Sequence, residues 1–106
     1  MKEISVTEFK ARLDAGTAPK IIDVREPHEY EMDHIASINI PMGEIPTHLD
    51  NLCESRDEEL VINCRSGGRS GQITHYLTSQ GFSNVYNLAG GMLAWKANID
   101  PNFNVQ

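Results

Sequence analysis

Short apolar runs alternate with amphipathic segments along the chain, and this alternation predicts an α/β fold. Apolar runs that are too brief for helices predict strands at residues 20–24, 35–41, 60–63 and 84–88. Strands separated by helices of this length are most simply joined by right-handed crossovers. The pattern therefore predicts a parallel sheet.

Apolar residues at helical spacing occupy most of the segments between these strands. Ser5 and Glu8 have the spacing of a capping box and Gly16 can end a helix, which predicts a first helix at about residues 6–15. Further helices are predicted at residues 27–32, 45–52, 70–80 and 91–97.

The chain has 106 residues, of which 40% are hydrophobic and 23% charged, as expected for one globular domain. We expect the core to span about residues 4–97 and the C-terminal tail, 98–106, to lie on the surface. No apolar run is long enough to span a bilayer, and the first residues lack the apolar core of a secretory signal. We therefore expect a cytoplasmic protein without a membrane partner, and a monomer.

Charge and residue spacing argue against two further classes of partner. A net charge of −6 disfavours nucleic-acid binding, which needs clustered Lys and Arg. Cys53 and Cys64 do not have zinc-motif spacing, and none of the four histidines has metal-ligand spacing. The sequence therefore predicts no metal site.

The stretch LVINCRSGGRSGQI carries the clearest chemistry, because a buried strand ends at Cys64 and a helix begins near Ser70. Gly67 and Gly68 allow consecutive N–H groups to point inward, and the helix start adds unpaired donors. A thiol among such donors and nearby arginines is favoured as the thiolate. Cys64 is therefore the predicted nucleophile. The predicted anion-binding residues are Arg65, Ser66, Gly67, Gly68, Arg69 and Ser70.

Three blocks of the chain resemble, in the same order, the single-domain rhodanese family. They are IIDVREPHEYEMDHIASINIP, CRSGGRS and VYNLAGGMLAW, and the resemblance covers about residues 4–95. One departure lies between His34 and Ile40, where the family often carries a glycine and one more residue. This departure concerns the shape of a local loop and not the cysteine.

The resemblance implies a rhodanese-like three-layer domain, with a five-stranded, mainly parallel sheet and helices on both faces. It also implies sulfur transfer, in which Cys64 takes sulfur from thiosulfate or a protein persulfide and passes it to cyanide or a thiol. No metal or organic cofactor is required. Asp23 and Arg25 match the first block, and we expect them to support the loops by capping or ion pairing. The resemblance assigns a role in the fold to His34, Gly90, Gly91 and Trp95.

Other functions remain open at this point. Cysteine phosphatases and arsenate reductases also use a thiolate loop, but theirs has one residue more than the four that separate Cys64 from Arg69. The domain could instead be a non-catalytic binding module, because a fold does not prove an activity. Cys64 could also be an ordinary packed cysteine. Cys53 is a weaker candidate, as a thiol that resolves a persulfide on Cys64.

Overall fold

The computed structural model describes residues 1–105, and its sheet explains the alternating pattern of the sequence. The strands are β1 (Glu3–Ile4), β2 (Lys20–Asp23), β3 (Ile38–Asn39), β4 (Leu60–Asn63) and β5 (Val85–Leu88). They lie in the order β1-β5-β4-β2-β3, and every neighbouring pair is parallel. The predicted α/β class and the five-stranded parallel sheet are confirmed.

Helices cover both faces of this sheet. They are α1 (Val6–Asp14), α2 (Pro27–Met32), α3 (Gly68–Ser79) and α4 (Gly91–Asn98), together with a 3₁₀ segment at Met42–Asn51. Side chains alternate along a strand, so Val61 and Ile62 enter different cores. Ile62 packs with residues of α3 and the 3₁₀ segment, whereas Val61 packs with residues of α1 and α4. The predicted three layers are confirmed.

Helix α1 begins at the predicted capping box. The backbone N–H of Glu8 donates to Ser5 Oγ over 3.0 Å, and the N–H of Ser5 donates to Glu8 Oε1 over 3.2 Å. These two bonds satisfy donors that the first helical turn leaves unpaired. Phe9, which is fully buried, then anchors the helix on the sheet.

Several boundaries differ from the sequence prediction for identifiable reasons. The predicted strand at 35–41 pairs with the sheet only at Ile38–Asn39, and Ile38 is half exposed at this sheet edge. The helix predicted at 45–52 is a 3₁₀ segment containing Pro46, which has no N–H for an α-helical hydrogen bond. Helix α3 starts at Gly68, two residues before the predicted Ser70.

The C-terminal tail is exposed or partly exposed over residues 98–105, as expected, except at Phe103, which is buried. Helix α4 continues to Asn98, and Phe103 is 3% exposed in the same core as Trp95. The backbone N–H of Asn104 also donates to Asp33 Oδ2 over 2.9 Å. Burying an aromatic side chain of this size stabilises the fold by about 2 kcal/mol, which is enough to hold the segment on the domain.

The capping box gives a test of the fold. Ser5→Ala should lower the free energy of unfolding by about 1 kcal/mol, because the N–H of Glu8 loses its acceptor. Thr7→Ala is the matched control in the same exposed turn, where alanine is the better helix former and no stability should be lost. Denaturant unfolding measures both variants. Equal stability of the Ser5 variant and the unchanged protein would contradict the role of this cap.

Candidate active site

Cys64 lies at the carboxyl edge of the sheet, directly after β4. Asp23 and Asn63 are register partners at the ends of β2 and β4, so Asp23 lies at the same edge. Cys64 is 1% exposed and packs with Ile62 in the α3-side core. Ligand sites of open parallel sheets lie at this edge. The predicted nucleophile therefore has a suitable position, although its residue surface is almost entirely covered.

Polar groups of the loop contact the sulfur of Cys64. The backbone N–H of Gly67 donates to Sγ over 3.1 Å, and Ser70 Oγ lies 3.2 Å from Sγ. Gly67 has a φ of 99°, and this left-handed conformation places it immediately before the first residue of α3. The Cys64 sulfur therefore faces one main-chain donor and one hydroxyl at a helix start, where negative charge is favoured.

The first turn of α4 holds the other side of the loop. The N–H groups of Met92 and Leu93 donate to the carbonyls of Cys64 and Arg65, over 3.0 and 2.9 Å. Helix α4 thus uses its unpaired N-terminal donors on the loop backbone. These two bonds fix the peptide groups of Cys64 and Arg65.

This contact requires glycine at position 91. A Cβ there would lie 2.4 Å from the carbonyl oxygen of Cys64 and 2.8 Å from two backbone atoms of Arg65. Gly91 also has a φ of 54°, a conformation that side chains disfavour. The resemblance assigned Gly91 a role in the fold, and the structure gives the reason: α4 approaches the backbone of Cys64 and Arg65 too closely for a side chain at this position.

Asp23 and Arg25 form a buried pair that braces the same edge. Asp23 is fully buried and Arg25 is 1% exposed, and Arg25 Nη2 donates to Asp23 Oδ2 over 2.8 Å. Arg25 also donates to the backbone carbonyls of Glu29 and Asp33, which lie in and after α2. The expected supporting role of ion pairing and loop bracing agrees with these contacts.

Arg69 contacts a carboxylate instead of the Cys64 sulfur. Its guanidinium donates to both carboxylate oxygens of Glu29, over 2.7 and 2.9 Å. This hydrogen bonding lowers the pKa of Glu29 to about 2, although burial opposes the shift. The same bond is the main reason that the pKa of Arg69 is raised, with smaller contributions from the charges of Glu29, Cys64 and Asp23. Binding of an anion by Arg69 stays a prediction.

The remaining loop residues differ in exposure. Ser66 and Gly68 are exposed, whereas Arg65 is half-buried. Arg65 borders a cavity of about 220 Å³ beside α2. The residues lining this cavity are Arg25, His28, Glu29, Met32, Arg65 and Val105. Because Arg65 directly follows Cys64, this cavity borders the start of the loop.

Sequence reasoning missed Asn87, which is 2% exposed on β5. Its Oδ1 lies 2.5 Å from Ser70 Oγ, and its Nδ2 donates to the carbonyl of Gly67 over 3.2 Å. The signal was a single polar residue inside the apolar strand VYNL, because a buried amide needs hydrogen-bond partners. Glu29 was also missed, and nothing in the local pattern pairs it with Arg69.

Cys53 lies at the opposite end of the sheet from Cys64. The neighbouring carbonyl of Leu52 accepts from Lys20, the first residue of β2. Burial is the main cause of a raised pKa for the Cys53 thiol, and the charge of Glu58 raises it further. Strand β4, about 13 Å long at its ordinary rise, separates this end from Cys64. This geometry argues against Cys53 resolving a persulfide on Cys64.

The site as a whole is a cysteine-centred loop that can hold a small negative sulfur. Its donors come from the main chain and from a hydroxyl, and its backbone is held by α4, while the Asp23–Arg25 pair lies at the same edge of the sheet. Within residues 1–105, no cluster of His, Cys, Asp and Glu could hold a metal ion, and no helix could cross a membrane. The fold and site define an α/β domain with a buried cysteine thiol at the start of a helix.

Comparison with known proteins identifies the family. The family model of the Rhodanese-like domain matches residues 5–98, and the chain belongs to that family. A crystal structure of a rhodanese-like domain protein from Staphylococcus aureus is 32% identical, with a TM-score of 0.82 over 100% of this chain and 99% of that one.

Two curated relatives match the chain over almost its whole length. YtwF of Bacillus subtilis (strain 168) is 40% identical over 95% of this chain and 96% of its own. A protein of Allochromatium vinosum named "Sulfurtransferase" is 36% identical over 90% of this chain and 88% of its own. Other relatives are longer, and the chain spans 50% of one and 24% of another. Family and names support sulfur transfer as the general activity.

Gly91→Ala should damage the site because its Cβ meets loop backbone that cannot rotate away. We expect the free energy of unfolding to fall by about 2 to 5 kcal/mol, the sum of left-handed strain and overpacking. Gly16→Ala is the matched control, since Gly16 has a φ of 73° but nothing within 4 Å of the added Cβ. It should cost only about 1 to 2 kcal/mol. Equal losses in denaturant unfolding would show that the close approach has no effect.

The Arg69–Glu29 pair should stabilise the fold in a pH-dependent way. The pKa of folded Glu29 is about 2, below its value in the unfolded chain, so the contribution is present above about pH 4 and is lost as the pH falls. Arg69→Gln should therefore cost about 1 kcal/mol at neutral pH, as for other partly exposed pairs. The difference from the unchanged protein should disappear near pH 2.

Unfolding free energies measured between neutral pH and about pH 2 test this expectation. Glu29→Gln is the matched variant, because it removes the same pair from the other side and should show the same convergence. If the Arg69 variant is equally destabilised at every pH, its loss comes from packing and not from the ion pair.

Proposed function

We propose that the chain moves sulfane sulfur through a persulfide on Cys64. The observation that carries the proposal is the pair of polar contacts to Sγ, from the N–H of Gly67 at 3.1 Å and from Ser70 Oγ at 3.2 Å. A thiolate and a persulfide are both sulfur anions, so the same groups stabilise each of them. The loop therefore suits both states of a sulfur carrier.

In the first half-reaction, the thiolate of Cys64 attacks the outer sulfur of thiosulfate. A new S–S bond forms, and the bond between the outer sulfur and the sulfonate sulfur breaks. The electron pair of that bond leaves with sulfite, so the products are a Cys64 persulfide anion and sulfite. No general base is required, because the nucleophile reacts as the thiolate. A protein persulfide would serve as donor in the same way, with its thiolate as leaving group.

In the second half-reaction, a nucleophilic acceptor attacks the outer sulfur of the persulfide. Cyanide becomes thiocyanate, or a thiolate becomes a new persulfide, and the electron pair of the broken S–S bond returns to Cys64. The outer sulfur lies about 2 Å beyond Sγ. This extension matters because Cys64 itself is only 1% exposed. The transferable sulfur is therefore better placed for an acceptor than the resting thiol.

The site supports sulfur transfer over phosphate or arsenate chemistry for two reasons. Four residues separate Cys64 from Arg69, which makes a shorter loop than phosphatases use. The guanidinium of Arg69 is also occupied by Glu29 through two hydrogen bonds, whereas recognition of a phosphate dianion relies on such a bidentate group. The presence of Cys64 among these donors argues against a binding module without catalysis.

The proposed partners are a small anionic sulfur donor such as thiosulfate and a thiol or protein acceptor. We propose a monomer in the cytoplasm that uses no metal and no organic cofactor and binds neither nucleic acid nor a membrane. The net charge of −6 supports the exclusion of nucleic acid. The cavity bordered by Arg65 supports a small partner near the loop.

Sulfur loading is the direct test of the function. The protein should gain the mass of one sulfur atom on incubation with thiosulfate and lose it when cyanide is added. Cys64→Ser should abolish the gain with little effect on folding, because the hydroxyl is a poor nucleophile of similar size. Intact-mass spectrometry follows both steps, and the amount of thiocyanate formed should equal the amount of sulfur that the protein loses.

Cys53→Ser is the matched control, since it removes the other thiol and should load sulfur as the unchanged protein does. Loading that survives Cys64→Ser, or that depends on Cys53, would refute the assignment of the nucleophile. A protein that never gains sulfur but hydrolyses an aryl phosphate would favour phosphatase chemistry instead.

A further inference from the structure

The hydroxyl of Ser70 lies between two groups that could both accept its proton. Its Oγ is 3.2 Å from Cys64 Sγ and 2.5 Å from Asn87 Oδ1. Ser70 is fully buried and Asn87 is 2% exposed, so water does not readily replace either partner. A serine hydroxyl has a single proton to donate. The two contacts therefore compete.

The orientation of the Asn87 amide is fixed by its other contacts. Its Nδ2 donates to the carbonyl of Gly67 and to Glu3 Oε2, each over 3.2 Å. Both of these partners are acceptors, so the nitrogen must face them and the oxygen must face Ser70. Asn87 Oδ1 is thus held as an acceptor only, and at 2.5 Å from Ser70 Oγ the proton must lie between the two oxygens.

Because the Ser70 hydroxyl has one proton, its bond to Asn87 is linked to whether Cys64 is a thiol or an anion. While Ser70 donates to Asn87, its oxygen can face Cys64 only as an acceptor, which suits a protonated thiol. When the thiol loses its proton to solvent, Ser70 can stabilise the sulfur anion only by turning its O–H away from Asn87. Formation of the anion therefore costs the Ser70–Asn87 hydrogen bond.

We propose that Asn87 is a positioning residue that acts through Ser70 and sets the balance between the thiol and anion forms of Cys64. Asn87 holds the hydroxyl in the resting state and releases it when the sulfur carries charge. The inference rests on the proposed function in taking Cys64 as the nucleophile. It assigns to β5 a part in the chemistry in addition to its place in the sheet.

The test is a double-mutant cycle on the ionisation of Cys64. Cys53→Ser is the background, so that one thiol remains, and the ultraviolet absorbance of the thiolate is followed against pH. The absorbance of the same protein carrying Cys64→Ser, measured at each pH, is subtracted to remove the contribution of the tyrosines. Asn87→Ala should move the midpoint of the titration to lower pH by about 0.5 to 1 unit, which corresponds to one ordinary hydrogen bond.

Ser70→Ala should move the midpoint to higher pH, because the anion loses a donor. Adding Asn87→Ala to the Ser70 variant should then produce no further shift, since Asn87 acts through the hydroxyl. If Asn87 had only a structural role, the shift of the midpoint caused by Asn87→Ala would be the same with and without Ser70. The Gly67 carbonyl keeps a second partner in these variants, because it also accepts from the N–H of Gly71 over 3.0 Å.

Three outcomes would overturn the proposal. Asn87→Ala could leave the midpoint unchanged or could raise it. It could also lower the midpoint equally with and without Ser70, and that result would mean that Asn87 acts through the loop backbone and not through the hydroxyl. If the alanine variant does not fold, Asn87→Leu removes the same acceptor at similar volume and has the same expected shift. The titration requires no sulfur donor, so a protein that ionises as expected but never loads sulfur would refute the proposed function and not this inference.

Discussion

The contact between the start of α4 and the backbone of the loop that begins at Cys64 is the constraint on which the rest of the site depends. Two N–H groups of α4 bind the carbonyls of Cys64 and Arg65, and glycine at position 91 allows the approach. With these peptide groups fixed, the chain turns through Gly67 into α3 and directs the Gly67 N–H to the sulfur. The loop is therefore shaped from a neighbouring helix that begins more than twenty residues later in the chain.

Two ion pairs, one buried and one partly exposed, connect elements at the carboxyl edge of the sheet. The Asp23–Arg25 pair joins the end of β2 to the backbone of α2, and Arg69 joins the start of α3 to Glu29 on the same helix. Pairing makes the burial of Asp23 and Arg25 tolerable, because an unpaired buried charge is costly, whereas Arg69 and Glu29 are only partly buried. These ion pairs thus stabilise the structure around Cys64, while the guanidinium groups of Arg25 and Arg69 are bound to carboxylates.

The sequence was informative wherever a feature depended on near neighbours. The strand before Cys64, the turn at Gly67 and the Ser5 capping box are local, and all three agree with the structure. The expected second inward N–H, from Gly68, is not among the contacts that the sulfur makes within residues 1–105. Strand β1 has only two residues, too few to show a period, and only the family resemblance implied a fifth strand. Arg69 and Glu29 are 40 positions apart, so their pairing depends on how the chain folds. Phe103 was misplaced because a single aromatic residue in a polar segment gives no periodic signal, although its burial is favourable.

The pairing of the arginines bears on which anion the loop can hold. The guanidinium groups of Arg25 and Arg69 are both bound to carboxylates, in the pairs Arg25–Asp23 and Arg69–Glu29. Stabilisation of an anion at Cys64 then depends mainly on an amide, a hydroxyl and the start of α3. Such neutral donors suit a sulfur anion with a single diffuse charge, whereas a compact dianion needs the stronger charge-assisted bonds of a free guanidinium. The carboxylates of an acidic chain thus favour a sulfur carrier, because they occupy the cations that phosphate chemistry would require.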